Sequence, residues 1–239
     1  MQFQQENKFF NIFPQHYTPS LCESIDGVDG GPRIYTTRYN KKYPSITSIL
    51  SATMSVEKRS ILESWKERVG EEEAENIKVE AARRGSAVHE LVEKYILDEN
   101  FYETLEKATP KIKRLFNQLK PVLDKNVNNI RMIEKSLFSD RLMVAGRTDL
   151  IAEYDKKLSI CDIKTSTKIK TIDEIQDYML QECFYSYCYA EQFGEKIQSI
   201  VTLIATENSL KPIIFIDTPF KHLDNLKKRI DQYYEENQI

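Results

Sequence analysis

The sequence predicts an α/β protein in which helices flank a mixed central β-sheet. Two observations predict this class: a middle region rich in β-branched and apolar residues, and helical periodicity on both sides of it. Hydrophobic residues make up 41% and charged residues 30% of the 239 positions, which is typical of a folded chain rather than a disordered one. A single domain, or one domain with a large insertion, is therefore expected.

The N-terminal part is predicted to contain an arm, a hairpin and several helices. Residues 1–32 end in the densest turn signal of the chain, so we expect them to form an arm or irregular loop. Ser45 is suited to cap a helix, and Pro110 suits a first helical turn. Breaks are expected near Gly70 and Gly85. The predicted segments are a hairpin at 33–43 and helices at 44–50, 56–97 and 110–124.

The composition changes after about residue 129, where strand-forming residues predict a three-stranded meander. A helix that stops at Gly194, two further strands and a charged C-terminal helix complete the order. The predicted segments are strands at 130–138, 142–154 and 158–165, a helix at 173–193, strands at 197–205 and 212–216, and a helix from about 220. We divide the chain into an arm (1–32), a hairpin and helical cap (33–128), and a sheet-bearing core (129–239).

Charge and cysteine content exclude several classes of protein. A net charge of −3 argues against a uniformly basic surface that coats nucleic acid, although a local basic groove remains compatible with it. The 4 cysteines form no CxxC pair, so neither a zinc finger nor a disulfide scaffold is expected. No apolar run approaches a membrane span, and the N-terminus has no signal or transit pattern. We therefore expect a cytoplasmic protein without a membrane partner.

The chemically most informative segment is Gly146-Arg147-Thr148-Asp149-Leu150, with Asp162-Ile163-Lys164 following Asp149 by 13 residues. Strand side chains alternate, so Asp162 and Lys164 share a face, and an antiparallel meander would bring Asp149 beside them. Two partly buried carboxylates repel unless a cation lies between them, which favours a hard divalent ion such as Mg²⁺ or Mn²⁺. The alternative is a pair of ordinary solvated or ion-paired aspartates, because a lone Asp-x-Lys recurs by chance.

Further polar residues follow in order around this pair. Glu134 precedes Asp149, His89 lies after Gly85 on an earlier helix, and Gln181 and Tyr185 are one turn apart on the helix after Lys164. In this order the residues resemble the motifs of the PD-(D/E)xK nuclease superfamily, in its RecB-like branch. Segments 43–50, 65–66 and 84–89 are also similar to mitochondrial genome maintenance exonucleases and their phage and bacterial relatives. The resemblance implies a restriction-endonuclease-like core under a helical N-terminal cap.

The resemblance implies a metal site. Asp149, Asp162, the backbone carbonyl of Ile163 and His89 would bind Mg²⁺ or Mn²⁺, and Glu134 would hold a second metal or its water shell. Two alternatives stay open: His89 as an ordinary packing histidine, and Glu134 in an ion pair with a neighbouring basic residue. Glu93, one turn after His89, is an additional candidate without further support.

The resemblance also implies catalytic roles. Lys164 would orient or deprotonate the attacking water. Gln181 and Tyr185 would brace the site or touch the DNA strand. The alternative for Gln181 and Tyr185 is that they simply pack and hydrogen-bond on their helix. Some RecB-like nucleases hold an iron–sulfur cluster through three closely spaced downstream cysteines, but Cys183 and Cys188 are followed by no further cysteine. No iron–sulfur cluster is therefore expected.

A nuclease for single strands needs basic and aromatic side chains together, to grip phosphates and stack bases. The candidates for DNA binding are Arg33, Tyr35, Arg38, Lys42, Tyr43, Ser45, Trp65, Lys66 and Arg84. The resemblance, with the large helical N-terminal portion, predicts that helices arch over the site and admit a free strand end.

The function favoured by the sequence is a divalent-metal-dependent DNA exonuclease of a bacterial cell or a phage-infected host. It would act on single strands in recombination, repair, replication or phage DNA degradation. Two alternatives remain: a structure-specific endonuclease on the same core, and a non-catalytic nucleic-acid-binding protein.

Overall fold

The computed structural model describes residues 10–13, 22–25 and 31–238. The strands are β1 (Cys22–Ile25), β2 (Ile34–Thr37), β3 (Lys42–Pro44), β4 (Val127–Ser139), β5 (Val144–Tyr154), β6 (Lys157–Ser166), β7 (Ser199–Thr206) and β8 (Ile213–Asp217). The helices are α1 (Ile46–Ala52), α2 (Val56–Val69), α3 (Glu71–Leu97), α4 (Phe101–Lys107), α5 (Pro110–Asn126), α6 (Gln176–Phe193) and α7 (Leu223–Asn237). Short 3₁₀ helices at Asp173–Ile175 and Pro219–His222 precede α6 and α7.

The central sheet has the order β4-β5-β6-β7-β8. β4, β5 and β6 form the predicted antiparallel meander, β6 and β7 run parallel, and β8 returns antiparallel. A parallel pair needs a long crossover, and α6 supplies it. The prediction of a mixed sheet flanked by helices is confirmed.

Each face of the sheet is covered by its own set of helices. Cys161 and Ile163 of β6 pack in one apolar cluster with residues of α3 and α5. Ile160 of the same strand packs in a second cluster with residues of α1, α6 and α7. Because side chains alternate along a strand, Asp162 and Lys164 point to the α6 side. No described helix is both long enough and apolar enough to cross a membrane.

The N-terminal region shows where local signals succeeded and failed. Ser45 caps α1 as predicted, accepting a hydrogen bond from the Ser48 backbone N–H at 3.0 Å. The chain also breaks at Gly70, whose φ of +87° is a conformation that favours glycine. The predicted break at Gly85 is wrong, since α3 runs through it. A helical glycine costs only about 1 kcal/mol relative to alanine, and packing of α3 against the sheet outweighs that cost.

Two further elements were not predicted. β1 lies within the segment expected to be an arm, and its pairing with β2 turns the predicted hairpin into a three-stranded sheet. Residues 1–9, 14–21 and 26–30 of that segment lie outside the described residues. The short helix α4 buries Phe101 against α3 and α5, and seven residues are too few to show a helical period in the sequence.

Candidate active site

Three acidic residues form a row across β4, β5 and β6. The residues on either side of Glu134 pair with those on either side of Asp149, so the two stand opposite each other. The pairing of Leu150 with Cys161 then places Asp149 next to Asp162. The row joins residues far apart in sequence because three consecutive strands pair in one register.

The last pair between β5 and β6 is Leu150 with Cys161, and the two strands diverge from there on, at the acidic row. Backbone groups that lose a strand partner in the interior need another one. The Ile163 N–H donates to Asp149 Oδ2 at 2.7 Å, and the Ile163 carbonyl oxygen lies 2.8 Å from His89 Nε2. Divergence of the strands therefore gives a histidine of α3 access to the carboxylates.

His89 bridges the acidic row. Its Nδ1 lies 2.9 Å from Glu134 Oε1 and 3.5 Å from Asp149 Oδ1, while its Nε2 faces the Ile163 carbonyl. Burial lowers the pKa of His89, but Asp149 and Glu134 more than offset this and raise it to about 9. Contact with two carboxylates therefore favours the protonated ring in the metal-free protein, and this ring neutralises part of the carboxylate charge.

Asp162 and Lys164 form a buried ion pair on the α6 side of β6. Asp162 is 1% exposed, and burial raises its pKa to about 6 against the opposing effect of Lys164. Burial lowers the pKa of Lys164, but Asp162 and Asp149 raise it above its ordinary value, so the amine stays protonated. Asp162 Oδ1 has no hydrogen-bond donor among the described residues. A buried carboxylate oxygen in this state is suited to a cation.

The face of α6 that covers the row carries Gln181 and Tyr185. Gln181 Nε2 donates to the Tyr185 hydroxyl at 3.0 Å, and Tyr185 is 2% exposed. Tyr185 lies so close to β5 that a Cβ added to Gly146 would be 2.9 Å from its ring. Because Gly146 has no side chain, α6 can approach β5 closely at the site.

Sequence reasoning missed Glu182, which is fully buried beside Gln181. The hydroxyl of Thr202, the residue opposite Asp162 on β7, donates to Glu182 Oε1. Burial, and then Asp162, raises the pKa of Glu182 well above its usual value. An acid within the apolar helix segment 179–189 was a signal that could have identified it.

Some of the predicted site residues line one cleft with a volume of about 600 Å³, whereas Asp162 and Ile163 are not in its lining. Predicted catalytic or metal residues on its lining are His89, Glu134, Asp149, Lys164, Gln181 and Tyr185. Predicted DNA-binding residues on its lining are Arg33, Tyr35 and Ser45. Ligand atoms of His89, Glu134 and Asp149 lie within 4.8 Å of one another, close enough to hold a metal ion together, and Asp162 is next in the row.

Two predicted DNA-binding residues have partners within the protein and do not line the cleft, and their role in DNA binding stays a prediction. Tyr43 is buried and donates its hydroxyl to Asp140, so its ring does not present a stacking face. Arg84 is 9% exposed and binds Thr165 Oγ1 and Glu207 Oε1, each at 3.2 Å. Both residues therefore fix the N-terminal region to the core.

The remaining DNA-binding candidates lie away from the cleft lining. Arg38 is exposed and stacks over Tyr39, with its guanidinium carbon 4.9 Å from the ring centre. Lys42 and Lys66 are exposed, and Trp65 is half-buried. Their role in DNA binding stays a prediction.

Comparison with known proteins agrees with this geometry. A family model described as the PD-(D/E)XK nuclease superfamily matches residues 64–237. Mitochondrial genome maintenance exonuclease 1 of Homo sapiens is 29% identical over 166 residues, covering 67% of this chain and 47% of the human protein. The protein of the same name from Xenopus tropicalis is 29% identical over 137 residues, covering 55% of this chain and 38% of its own length. The matched segment thus spans less than half of each relative.

Proposed function

The chain belongs to the PD-(D/E)XK nuclease superfamily, and from this premise we propose that it is a divalent-metal-dependent DNA exonuclease acting on single strands with free ends. One observation carries the proposal: Asp149 and Lys164 line the cleft, and Asp162, on the strand next to Asp149, is ion-paired to Lys164. The exonuclease names of the relatives support the end requirement.

The residues present fit a divalent cation. Among the described residues Asp162 Oδ1 is buried without a donor, and Asp149 on the neighbouring strand, the adjacent Ile163 carbonyl and a deprotonated His89 would supply further ligand atoms. Oxygen-rich sets of this kind suit Mg²⁺ or Mn²⁺. When bound, such an ion lowers the pKa of a water molecule and stabilises charge on a phosphoryl group.

Each residue of the chain has a separate task in this proposal. Lys164 holds its ammonium at the cleft, where it orients the attacking water and neutralises charge on the phosphate. Glu134 fixes the His89 ring through Nδ1, which aims Nε2 at the Ile163 carbonyl. The hydrogen bond between Gln181 and Tyr185 holds the wall of the cleft opposite these groups.

A time course on end-labelled DNA tests the proposal. Linear single strands labelled at the 5′ or 3′ end, circular single strands and duplexes are incubated with Mg²⁺ or Mn²⁺, or with a chelator. We expect linear single strands to be shortened with metal and to stay intact with chelator. Cutting of circular strands would contradict the exonuclease assignment and support an endonuclease. Binding without cleavage under all conditions would support a non-catalytic nucleic-acid-binding protein.

Variants connect the activity to the site. Asp162→Asn and Lys164→Ala should remove cleavage while leaving DNA binding largely intact, because the first removes a metal ligand and the second the cation beside the phosphate. Asp231→Asn and Lys228→Ala on the exposed side of α7 are matched controls. Cleavage at the parental rate by either site variant would contradict the assignment.

A further inference from the structure

Arg147 is a cation at the cleft to which the family resemblance assigned no role. It lies two residues before Asp149 on β5, so both side chains project from the same face. Its side chain is 60% exposed and forms part of the cleft lining. A guanidinium in this position is available to whatever enters the cleft.

Glu134 forms an ion pair with this guanidinium. Its Oε2 lies 2.9 Å from Arg147 Nε, while its Oε1 faces His89 Nδ1. Among residues 31–238, no acidic side chain other than Glu134 lies within ion-pair distance of Arg147. One carboxylate therefore orients two residues, His89 toward the carboxylate row and Arg147 toward the open cleft.

The charge of the cleft makes this cation necessary for a polyanionic substrate. Glu90, Glu93, Glu134 and Asp149 all contribute to the lining. Besides Arg147, the lining carries Arg33 and Lys164, and part of the Lys164 charge is offset by its ion pair with Asp162. A DNA strand entering such a cleft needs further positive charge directed at its phosphates.

We propose that Arg147, oriented by Glu134, binds a backbone phosphate of the DNA strand next to the phosphate that is cleaved. The planar guanidinium presents several N–H donors in a fork that matches two phosphate oxygens, which a lysine cannot reproduce. The inference rests on the proposed function, since it assumes a DNA strand in this cleft.

Binding of a fluorescein-labelled ten-nucleotide single strand, measured by anisotropy in EDTA at several KCl concentrations, tests the inference separately from cleavage. Arg147→Ala should weaken binding about ten-fold or more, as expected for a lost hydrogen bond to a charged group. The plot of log affinity against log salt has a negative slope, and Arg147→Ala should make it less steep by about 0.7, the value for one lost phosphate contact on a single strand. Arg147→Lys should keep the slope but bind more weakly than the parent.

Arg141→Ala is the matched control, because Arg141 is also exposed but lies in the turn between β4 and β5, outside the cleft lining. It should bind with the parental affinity and slope. A parental slope for Arg147→Ala, or an equal loss for Arg141→Ala, would overturn the inference while leaving cleavage by the parent protein intact. A parent that neither binds nor cleaves DNA would overturn the proposed function itself.

Discussion

Replacing Gly146 with alanine should destabilise the fold and disturb the candidate active site together. The added Cβ would lie 2.9 Å from Tyr185 Cε1, 3.0 Å from its hydroxyl oxygen and 3.1 Å from Ile46 Cγ2. Ordinary carbon contacts are about 3.5–4.0 Å. Tyr185 is 2% exposed and Ile46 is fully buried, so neither side chain has solvent to move into.

The magnitude follows from two opposing effects. Overpacking a tight interior costs roughly 1–3 kcal/mol. Replacing a glycine of ordinary φ returns about 0.4–1 kcal/mol by restricting the unfolded chain, and Gly146 has no positive φ. We expect a net loss of about 1–2 kcal/mol in the free energy of unfolding. Displacement of Tyr185 should also weaken its hydrogen bond from Gln181 and lower the cleavage rate.

Urea denaturation followed by circular dichroism measures the effect. With a denaturant slope of about 2–3 kcal/mol per M, the midpoint of Gly146→Ala should fall by roughly 0.5 M at unchanged slope. Gly85→Ala is the matched control, because the nearest atom to its added Cβ is Thr165 Oγ1 at 4.0 Å. In the interior of α3 that change should stabilise by roughly 0.5–1 kcal/mol. A midpoint for Gly146→Ala at or above the parental value would refute the reasoning.

Three other predictions address the buried charges and the metal. The raised pKa of Glu182 favours its neutral form, so its contribution to stability is complete below about pH 4.5 and is lost as pH rises through the raised pKa. In metal-free protein, Glu182→Gln should therefore reduce the fall in urea midpoint between pH 5 and pH 8, and an unchanged fall would contradict this. Arg84→Met breaks a largely buried pair with Glu207 and should cost roughly 3 kcal/mol by urea denaturation, with unchanged DNA affinity in the folded protein; a selective loss of DNA affinity would support its DNA-binding role. Mg²⁺ or Mn²⁺ at about 100 times its dissociation constant should stabilise the parent by about 2.7 kcal/mol in thermal unfolding, and equal stabilisation of Asp149→Asn would place the metal elsewhere.

The central sheet was more predictable than the N-terminal region because its signals are local and repeated. Three consecutive strands separated by short turns have few ways to pair, so the antiparallel meander follows from their spacing. The placement of Asp162 and Lys164 on one face required nothing beyond strand alternation. β1 and α4, in contrast, are short, and their stability comes from partners that lie elsewhere in the chain.

The roles of basic and aromatic residues were less predictable than those of the acids. Arg33 and Arg84 are equally basic in the sequence, yet one lines the cleft and the other is buried against Glu207. Tyr35 and Tyr43 are both buried in one cluster, yet Tyr35 lines the cleft whereas Tyr43 donates its hydroxyl to Asp140. A side chain long enough to reach several partners takes its role from whichever partner the fold brings near.

The sequence by itself determined the fold class, the order of the acidic motifs and the shared face of Asp162 and Lys164, because these depend on periodicity and short turns. The tertiary structure alone decided that β5 and β6 diverge, that His89 reaches the Ile163 carbonyl through that opening, and that Glu182 is buried beneath the site. The physical reason is that the contacts of His89 and Glu182 join residues 74 and 20 positions apart. Their formation depends on how strands and helices pack, which no local pattern of residues records.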